Sequence, residues 1–495
     1  MLFWLLWQHH FNERELANYV HYPTNIFELR SSGKPKQSSI VTIFSIWNTM
    51  MGTSLLAMPW ALGQAGLLLG LGIILIMGGI CLYTCYLLVK SESHYKQLTS
   101  KKKLFEIVKD PEAGTIRKKP RIIEYTDIAN KFLGRWGKYS SLFFSILTMF
   151  GSLIVYWILM SSFLYNIVLY IIGLQYNDGG VTTNSTSSKY DVICPSASNA
   201  TTSELNFLQT ANMSGFNVDL FLQLWDKQKT VPLFLLVVMF PILNLKSPTF
   251  FTKFNSLGAI SVCYLIFFVV FKSVRLGINF DLSGSHGIKL VNWNFPALSG
   301  ILAMGFFIHN CILAIVRNQE NPKNNGRDLS IAYLFVFVTY TTISVCFYLS
   351  FPMHRSCIQP ILLDNFPVSD IMAFFARIGL FFQLVTVYPL LNYIVRIQIL
   401  LIVFKKAWPS IRHVLLLNIG FVTFCVLFAV FYPHIGTIIR FAGAFCGLAY
   451  IFTFPPVIYL VYCKRIGTLT TAKIIIHGFI VLIGVTNVIG QFLIL

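Results

Sequence analysis

"NTMMGTSLLAMPW", Asn48 to Trp60, lies inside an apolar run that begins near Ile40. Such a run is fit to cross a bilayer, yet Asn48, Thr49, Gly52, Thr53 and Ser54 interrupt it at its centre. In hydrocarbon every backbone N–H and C=O must find a partner, so irregular backbone survives at membrane depth only where it lines a cavity or a site. Close helix packing by small residues accounts for Gly52, Thr53 and Ser54 but leaves Asn48 and Thr49 unexplained. A break at Met51 to Thr53 is therefore expected to be a binding site.

The rest of the chain agrees with a membrane setting. Of its 495 residues 55% are hydrophobic and only 12% charged, with mean hydropathy +0.67, whereas soluble proteins carry about 25% charged residues. Spans of about 20 helical residues are needed to cross roughly 30 Å of hydrocarbon. Eleven apolar segments qualify, near residues 40–63, 66–90, 139–174, 231–246, 252–276, 294–317, 330–352, 368–403, 413–432, 436–462 and 473–495. The first two are separated only by "LGQAG", Leu62 to Gly66, a glycine-marked turn. The expected organisation is a cytosolic tail over residues 1–38 and a transmembrane domain over 39–495.

The formal charge of +19 is concentrated in loops, which signals orientation in a bilayer rather than nucleic-acid binding. Residues 91–138 carry Lys101 to Lys103, "RKKPR" (Arg117 to Arg121), Lys131, Arg135 and Lys138, while 175–230 carry only Lys189, Lys227 and Lys229. The first loop is expected to be cytosolic and the second lumenal. Three Asn-X-Ser/Thr sequons, at Asn184, Asn199 and Asn212, all fall in the second loop and suit glycosylation there. With eleven spans, the N-terminus is then cytosolic and the C-terminus lumenal. Of ten cysteines, only Cys194 and Cys357 lie in loops, both on the lumenal side, where an oxidising compartment lets them pair.

A broken helix offers chemistry at both cut ends. The second half begins with free N–H groups and a positive dipole end, suited to a carboxylate; the first half ends in free carbonyls, suited to sodium. One amino acid and one sodium ion fit such a break. An inverted-repeat transporter places a partner break five spans later. There the sequence reads "ILAMGFFIHNCILAIV", Ile301 to Val316, with Gly305 and the polar pair His309 and Asn310 at mid-membrane. His309 reads equally as a ligand or as a satisfied interior histidine. The eighth span adds "QLVTVYPLLNY", with Gln383, Thr386, Tyr388 and Asn392, and Pro389 to bend it. Thr386 offers a hydroxyl to the cation, while Gln383 and Asn392 read equally as interhelical hydrogen bonds. None of the nineteen Asp and Glu residues lies well inside a span, which disfavours a proton pump built on intramembrane carboxylates. The chain has no phosphate-binding Walker sequence, zinc-protease helix or nucleophile elbow, so no enzyme is expected.

Together "VTIFSIWNTMMGTS" (Val41 to Ser54), "ILNLKSPTFFTKFN" (Ile242 to Asn255), "FFIHNC" (Phe306 to Cys311), "LLDNFP" (Leu362 to Pro367) and "MAFFARIGLFFQLVTVYPLL" (Met372 to Leu391) resemble the lysosomal sodium-coupled branch of the amino acid and auxin permeases. The resemblance runs from about Gln37 to the C-terminus. It implies an all-α polytopic LeuT-like fold, five plus five inverted repeats with an eleventh helix and with helices 1 and 6 broken. It implies an arginine site at Asn48, Thr49, Met50, Met51, Gly52, Thr53, Ser54, Leu55, Leu56 and Ala57, with Thr53 as the key substrate threonine. Sodium is placed near the carbonyls of Trp47 and Met50 and the Thr386 hydroxyl, with no other cofactor. It further implies arginine-stimulated export of leucine, glutamine and other amino acids from the lysosome, and signalling to the growth kinase complex mTOR through Rag GTPases and Ragulator. The glycans and a Cys194–Cys357 disulfide fit the same family, and a sterol contact, cholesterol, would fall on "LNYIVR", Leu391 to Arg396.

The family's signalling tail is long, whereas residues 1–38 precede the first span here. Its start, "MLFWLLW", is too short for a span and lacks the basic region of a signal peptide. A remnant of the tail is read in "HYPTNIFELR", His21 to Arg30; the natural tail is expected to be longer. Two alternatives stand beside the transporter: an amino acid receptor with little flux, and a sodium-coupled neutral amino acid transporter of the plasma membrane.

Overall fold

The computed structural model describes residues 37–99, 105–109, 116–120, 123–176, 192–195, 218–245, 258–280, 287–317 and 319–494. The three sequons and most of the N-terminal tail lie outside the described residues. The elements are α1 (Ser39–Met50), α2 (Ser54–Ala65), α3 (Leu67–Gln97), β1 (Phe105–Lys109), β2 (Ile116–Pro120), α4 (Tyr125–Tyr176), α5 (Val218–Leu224), α6 (Val231–Leu243), α7 (Gly258–Leu276), α8 (Pro296–Gly305), α9 (Ile312–Arg317), α10 (Asn325–Ser350), α11 (Ile371–Phe404), α12 (Ile411–Phe431), α13 (Ile435–Gly447), α14 (Phe454–Arg465) and α15 (Thr471–Leu493). A π-helical stretch, Leu448–Thr453, joins α13 to α14.

This is a polytopic membrane protein whose candidate membrane spans are all helical. Among the described residues eight helices are long and apolar enough to cross a bilayer, and nine if the bent pair α1 and α2 is one span. α6 and α8 are shorter apolar helices, lying where the fourth and sixth expected segments fall. Two details differ from the sequence reading. α4 begins at Tyr125, well before residue 139, because its polar first arm is also helical and is set off by Gly134 at φ 71°; only glycine reaches that conformation freely. The loop before it contains a two-stranded antiparallel hairpin, with Phe105 opposite Pro120.

The "LGQAG" turn is held from outside. Gly66 has φ 81° and a Cβ there would meet the backbone of Leu290 and Val291 at 2.8 Å. The Leu67 amide donates to the Lys289 carbonyl at 2.8 Å, and the Asn292 amide to Ala65 at 2.8 Å. α8 packs against α13 and α2, and α10 against α1 and α2, so the two broken segments share one core.

Buried polar side chains satisfy backbone that the lipid cannot. Arg377 donates to the carbonyls of Leu363 and Phe366, each at 2.9 Å. Arg396 donates to Leu243 at 2.8 Å and Leu245 at 3.1 Å, at the carbonyl end of α6. A buried chain of amides joins Asn392 to Asn418 at 3.0 Å and Asn418 to Asn244 at 2.9 Å. Asn392 is thus an interhelical bond, and Arg396 turns the "LNYIVR" segment inward rather than toward lipid. The Cys194–Cys357 disulfide is present, with Cα atoms 4.9 Å apart.

Candidate functional site

The chain breaks where the polar residues interrupt the first span. α1 stops at Met50, α2 starts at Ser54, and their axes differ by 61°. The Met51 amide donates to Trp47 at 3.0 Å and the Gly52 amide to Met50 at 2.9 Å. Both close the end of α1. Among the described residues, no backbone carbonyl accepts from the Thr53 and Ser54 amides at the start of the twelve-residue α2. Free N–H groups on a helix start carry positive potential.

A second break lies opposite, between Gly305 and Ile312. One buried side chain binds both. The Tyr340 hydroxyl lies 2.7 Å from the Met50 carbonyl and 3.0 Å from the Gly305 carbonyl. The Tyr333 hydroxyl donates to the next carbonyl, Phe306, at 3.2 Å. The sequence reading missed both tyrosines, since nothing local marks them within the seventh apolar segment.

A cavity of about 440 Å³ opens at the breaks, within the size range of small-molecule sites. Asn48, Thr49, Met50, Met51, Gly52, Thr53 and Ser54 line it from the first break, and Phe307, Asn310 and Cys311 from the second. Tyr156, Ser152, Gln383 and Val387 close it from α4 and α11. Among the described residues no charged side chain lines it. Two buried amide oxygens, Asn48 Oδ1 and Gln383 Oε1, have no hydrogen-bond partner among the described residues. A second cavity of about 240 Å³ shares Met149 and Asn310 with the first, and charged Glu124, Lys138, Arg317 and Lys405 line it.

The remaining site residues named from sequence separate by position. Leu55 and Leu56 line only a void of about 30 Å³ behind the break, together with Gly52, Thr53 and Gln383. Ala57 is fully buried in the core. His309 departs from its neighbour: it is fully buried, lines neither cavity, and its Nε2 lies 3.0 Å from the Thr84 hydroxyl on α3. Consecutive residues in a tight turn point apart, so only Asn310 reaches the cavity. Trp47 donates its indole N–H to Thr339 at 3.2 Å, leaving its carbonyl, already bonded to Met51, as its contribution at the break. Thr386 is 4% exposed and donates to the Gln383 carbonyl at 2.8 Å. It lines none of the three cavities.

Broken helices around an uncharged, polar-lined cavity in a polytopic bundle define a carrier of small polar solutes. The profile of the family described as "Transmembrane amino acid transporter protein" matches residues 35–186 and 208–494, and the chain belongs to that family. It is a transporter rather than an enzyme. Among similar curated proteins, the "Neutral amino acid transporter 9" of Rattus norvegicus is 42% identical over 489 residues, covering 96% of this chain and 83% of that protein. The protein of the same name from Xenopus tropicalis is 44% identical over 473 residues, 93% of this chain and 81% of its own. The "Sodium-coupled neutral amino acid transporter 9 homolog" of Caenorhabditis elegans is 42% identical over 486 residues, 94% of this chain and 75% of its own.

Proposed function

We propose that the break between α1 and α2 is the substrate site of a sodium-coupled amino acid transporter. The observation that carries this reading is the pair of unbonded amides at Thr53 and Ser54, opening beside an uncharged cavity of about 440 Å³. They are suited to a substrate carboxylate. The substrate ammonium lies toward the carbonyl end of α1 and the unpaired Asn48 Oδ1. An acidic side chain would add a negative charge with no cation in the lining to meet it, which favours neutral amino acids. Arginine fits by a different route. Its guanidinium carries five donors and no acceptor, and amide and carbonyl oxygens are the acceptors on offer.

Sodium is the co-substrate in this reading, held at the carbonyls of Trp47 and Met50 with the Thr386 hydroxyl. The Trp47 carbonyl accepts one bond, from the Met51 amide, and keeps a second lone pair for a cation; the Met50 carbonyl accepts two, from the Gly52 amide and the Tyr340 hydroxyl, and takes the ion only as one of them gives way. The two facing breaks support a five-plus-five LeuT-like arrangement. The compartment is a lysosomal membrane, with the basic face and N-terminus cytosolic and the Cys194–Cys357 loop lumenal. There the protein exports leucine, glutamine and other amino acids under arginine control. Through its tail it reports amino acid sufficiency to mTOR by way of Rag GTPases and Ragulator.

Uptake of labelled arginine, leucine and glutamine into proteoliposomes, with and without sodium, tests the transport reading. Wild type accumulates label in a sodium-dependent way and Thr53→Trp, which fills the break, does not. Equal uptake by the two proteins removes the break as the site.

A further inference from the structure

Gln383 sits where the main cavity meets the void behind the break. It lines both, together with Gly52, Thr53 and Tyr156. Its position is set by the neighbouring helix: a Cβ on Gly258 of α7 would meet Gln383 Cγ at 2.8 Å, Cδ at 3.0 Å and Nε2 at 3.2 Å. The amide therefore rests on bare backbone and has little room to rotate. Its Oε1 is buried without a hydrogen-bond partner, while Val387, Met304 and Phe307 make the nearby walls apolar. A buried acceptor left unpaired is costly, and a ligand group that pairs it recovers that cost.

Resting on the substrate site proposed above, we infer that Gln383 is the side-chain selectivity residue of this transporter. Its Oε1 accepts a hydrogen bond from substrates whose side chains end in an N–H donor, an amide or a guanidinium. An aliphatic side chain of the same length leaves the oxygen unpaired. Sites built to hydrogen-bond a substrate group reject analogues lacking it more strongly than apolar pockets reject extra methylenes. The role was open in the sequence, where Gln383 read equally as a helix-to-helix bond. The ligand role is favoured because, among the described residues, no helix supplies a partner to Oε1.

The test is the ratio of uptake efficiencies for labelled glutamine, arginine and leucine in proteoliposomes. Gln383→Met removes the acceptor: glutamine loses about threefold to tenfold relative to leucine, the range of one neutral hydrogen bond, and arginine, whose guanidinium is charged, loses about tenfold or more. Gln383→Glu keeps an acceptor and adds charge, so arginine gains relative to both others. Gly258→Ala keeps the amide but displaces it, and shifts the ratios in the same direction as Gln383→Met. That second variant decides the matter if Gln383→Met fails to give a folded, monodisperse protein. Ratios unchanged in all variants that transport overturn the inference. A rise in arginine with Gln383→Met overturns it too, because it would mean that Nε2 rather than Oε1 faces the substrate. Absence of amino acid uptake by wild type instead overturns the proposed function itself, and so is distinguishable from both.

Discussion

The Tyr340 hydroxyl donates to the Met50 carbonyl at 2.7 Å, across 290 residues of sequence. It also reaches the Gly305 carbonyl at 3.0 Å, so one side chain from α10 joins the cut ends of both broken segments. A hydroxyl has a single proton, and the two carbonyls share it. Tyr340→Phe leaves the Gly305 carbonyl without this donor, at about 1–3 kcal/mol for an unpaired buried group, while the Met50 carbonyl keeps the Gly52 amide. The expected outcome is a lower thermal midpoint and a reduced maximal uptake rate. Equal uptake and stability in the Phe variant would show that the two ends are held by packing alone.

His309 is spent on Thr84, and the cavity does not include it. His309→Ala is therefore expected to lower thermal stability through a lost buried bond and a small void, about 1–3 kcal/mol, while the KM for amino acid stays as in wild type. Asn310→Ala, one residue on, is expected to raise that KM. Measured KM values reversed between the two variants would return His309 to the substrate site.

The turn Leu362–Asn365 is held twice. Cys194–Cys357 joins the segment just before it to the Ile193–Cys194 segment across 163 residues, and the Asn365 side chain donates to the carbonyls of Cys357 at 2.8 Å and Ile193 at 3.2 Å. Loss of the disulfide in Cys194→Ser is expected to cost about 2–5 kcal/mol. Because both ties hold the same segments, Cys194→Ser and Asn365→Ala together should cost other than the sum of the two. Thermal melts of the single and double variants, under oxidising conditions, check this; strict additivity would mean the two ties act on separate units.

Gly443 of α13 faces the Gly300 carbonyl and Met304 of α8, with no space for a Cβ. Gly443→Ala must push these helices apart, and overpacking of this kind costs typically about 1–3 kcal/mol. Since α8 ends at the second break, the cavity should change shape as well. The expected readout is a lower melting point together with a weaker protective shift on adding arginine or leucine. An unchanged melting point would mean that the helix pair adjusts freely.

Much of the architecture was legible in the order of residues. Apolar runs of spanning length, loop charge and the two loop cysteines gave the bundle and its disulfide, since membrane hydrocarbon imposes length and polarity rules that act locally on the chain. The break at Asn48 to Ser54 was legible for the same reason: polar residues at that depth demand an account. The facing of His309 and Asn310 was not, because adjacent residues in a turn share one sequence context and yet point to different helices. The partners of Arg396, the carbonyls of Leu243 and Leu245, were not legible either, because they lie more than 150 positions away.

What the sequence by itself determined is where the chain must cross the membrane and where it cannot remain helical. Hydrophobic length and unsatisfied backbone are properties of a single segment and need no neighbour to be read. Which side chains meet at those interruptions was decided only in three dimensions. Tyr340 over Met50 and Gly305, Gln383 against Gly258, and Thr84 with His309 each join helices far apart in the chain. The physical reason is packing: a broken helix frees polar groups at its ends, and the groups that answer them are supplied by whichever helices the folded bundle brings alongside.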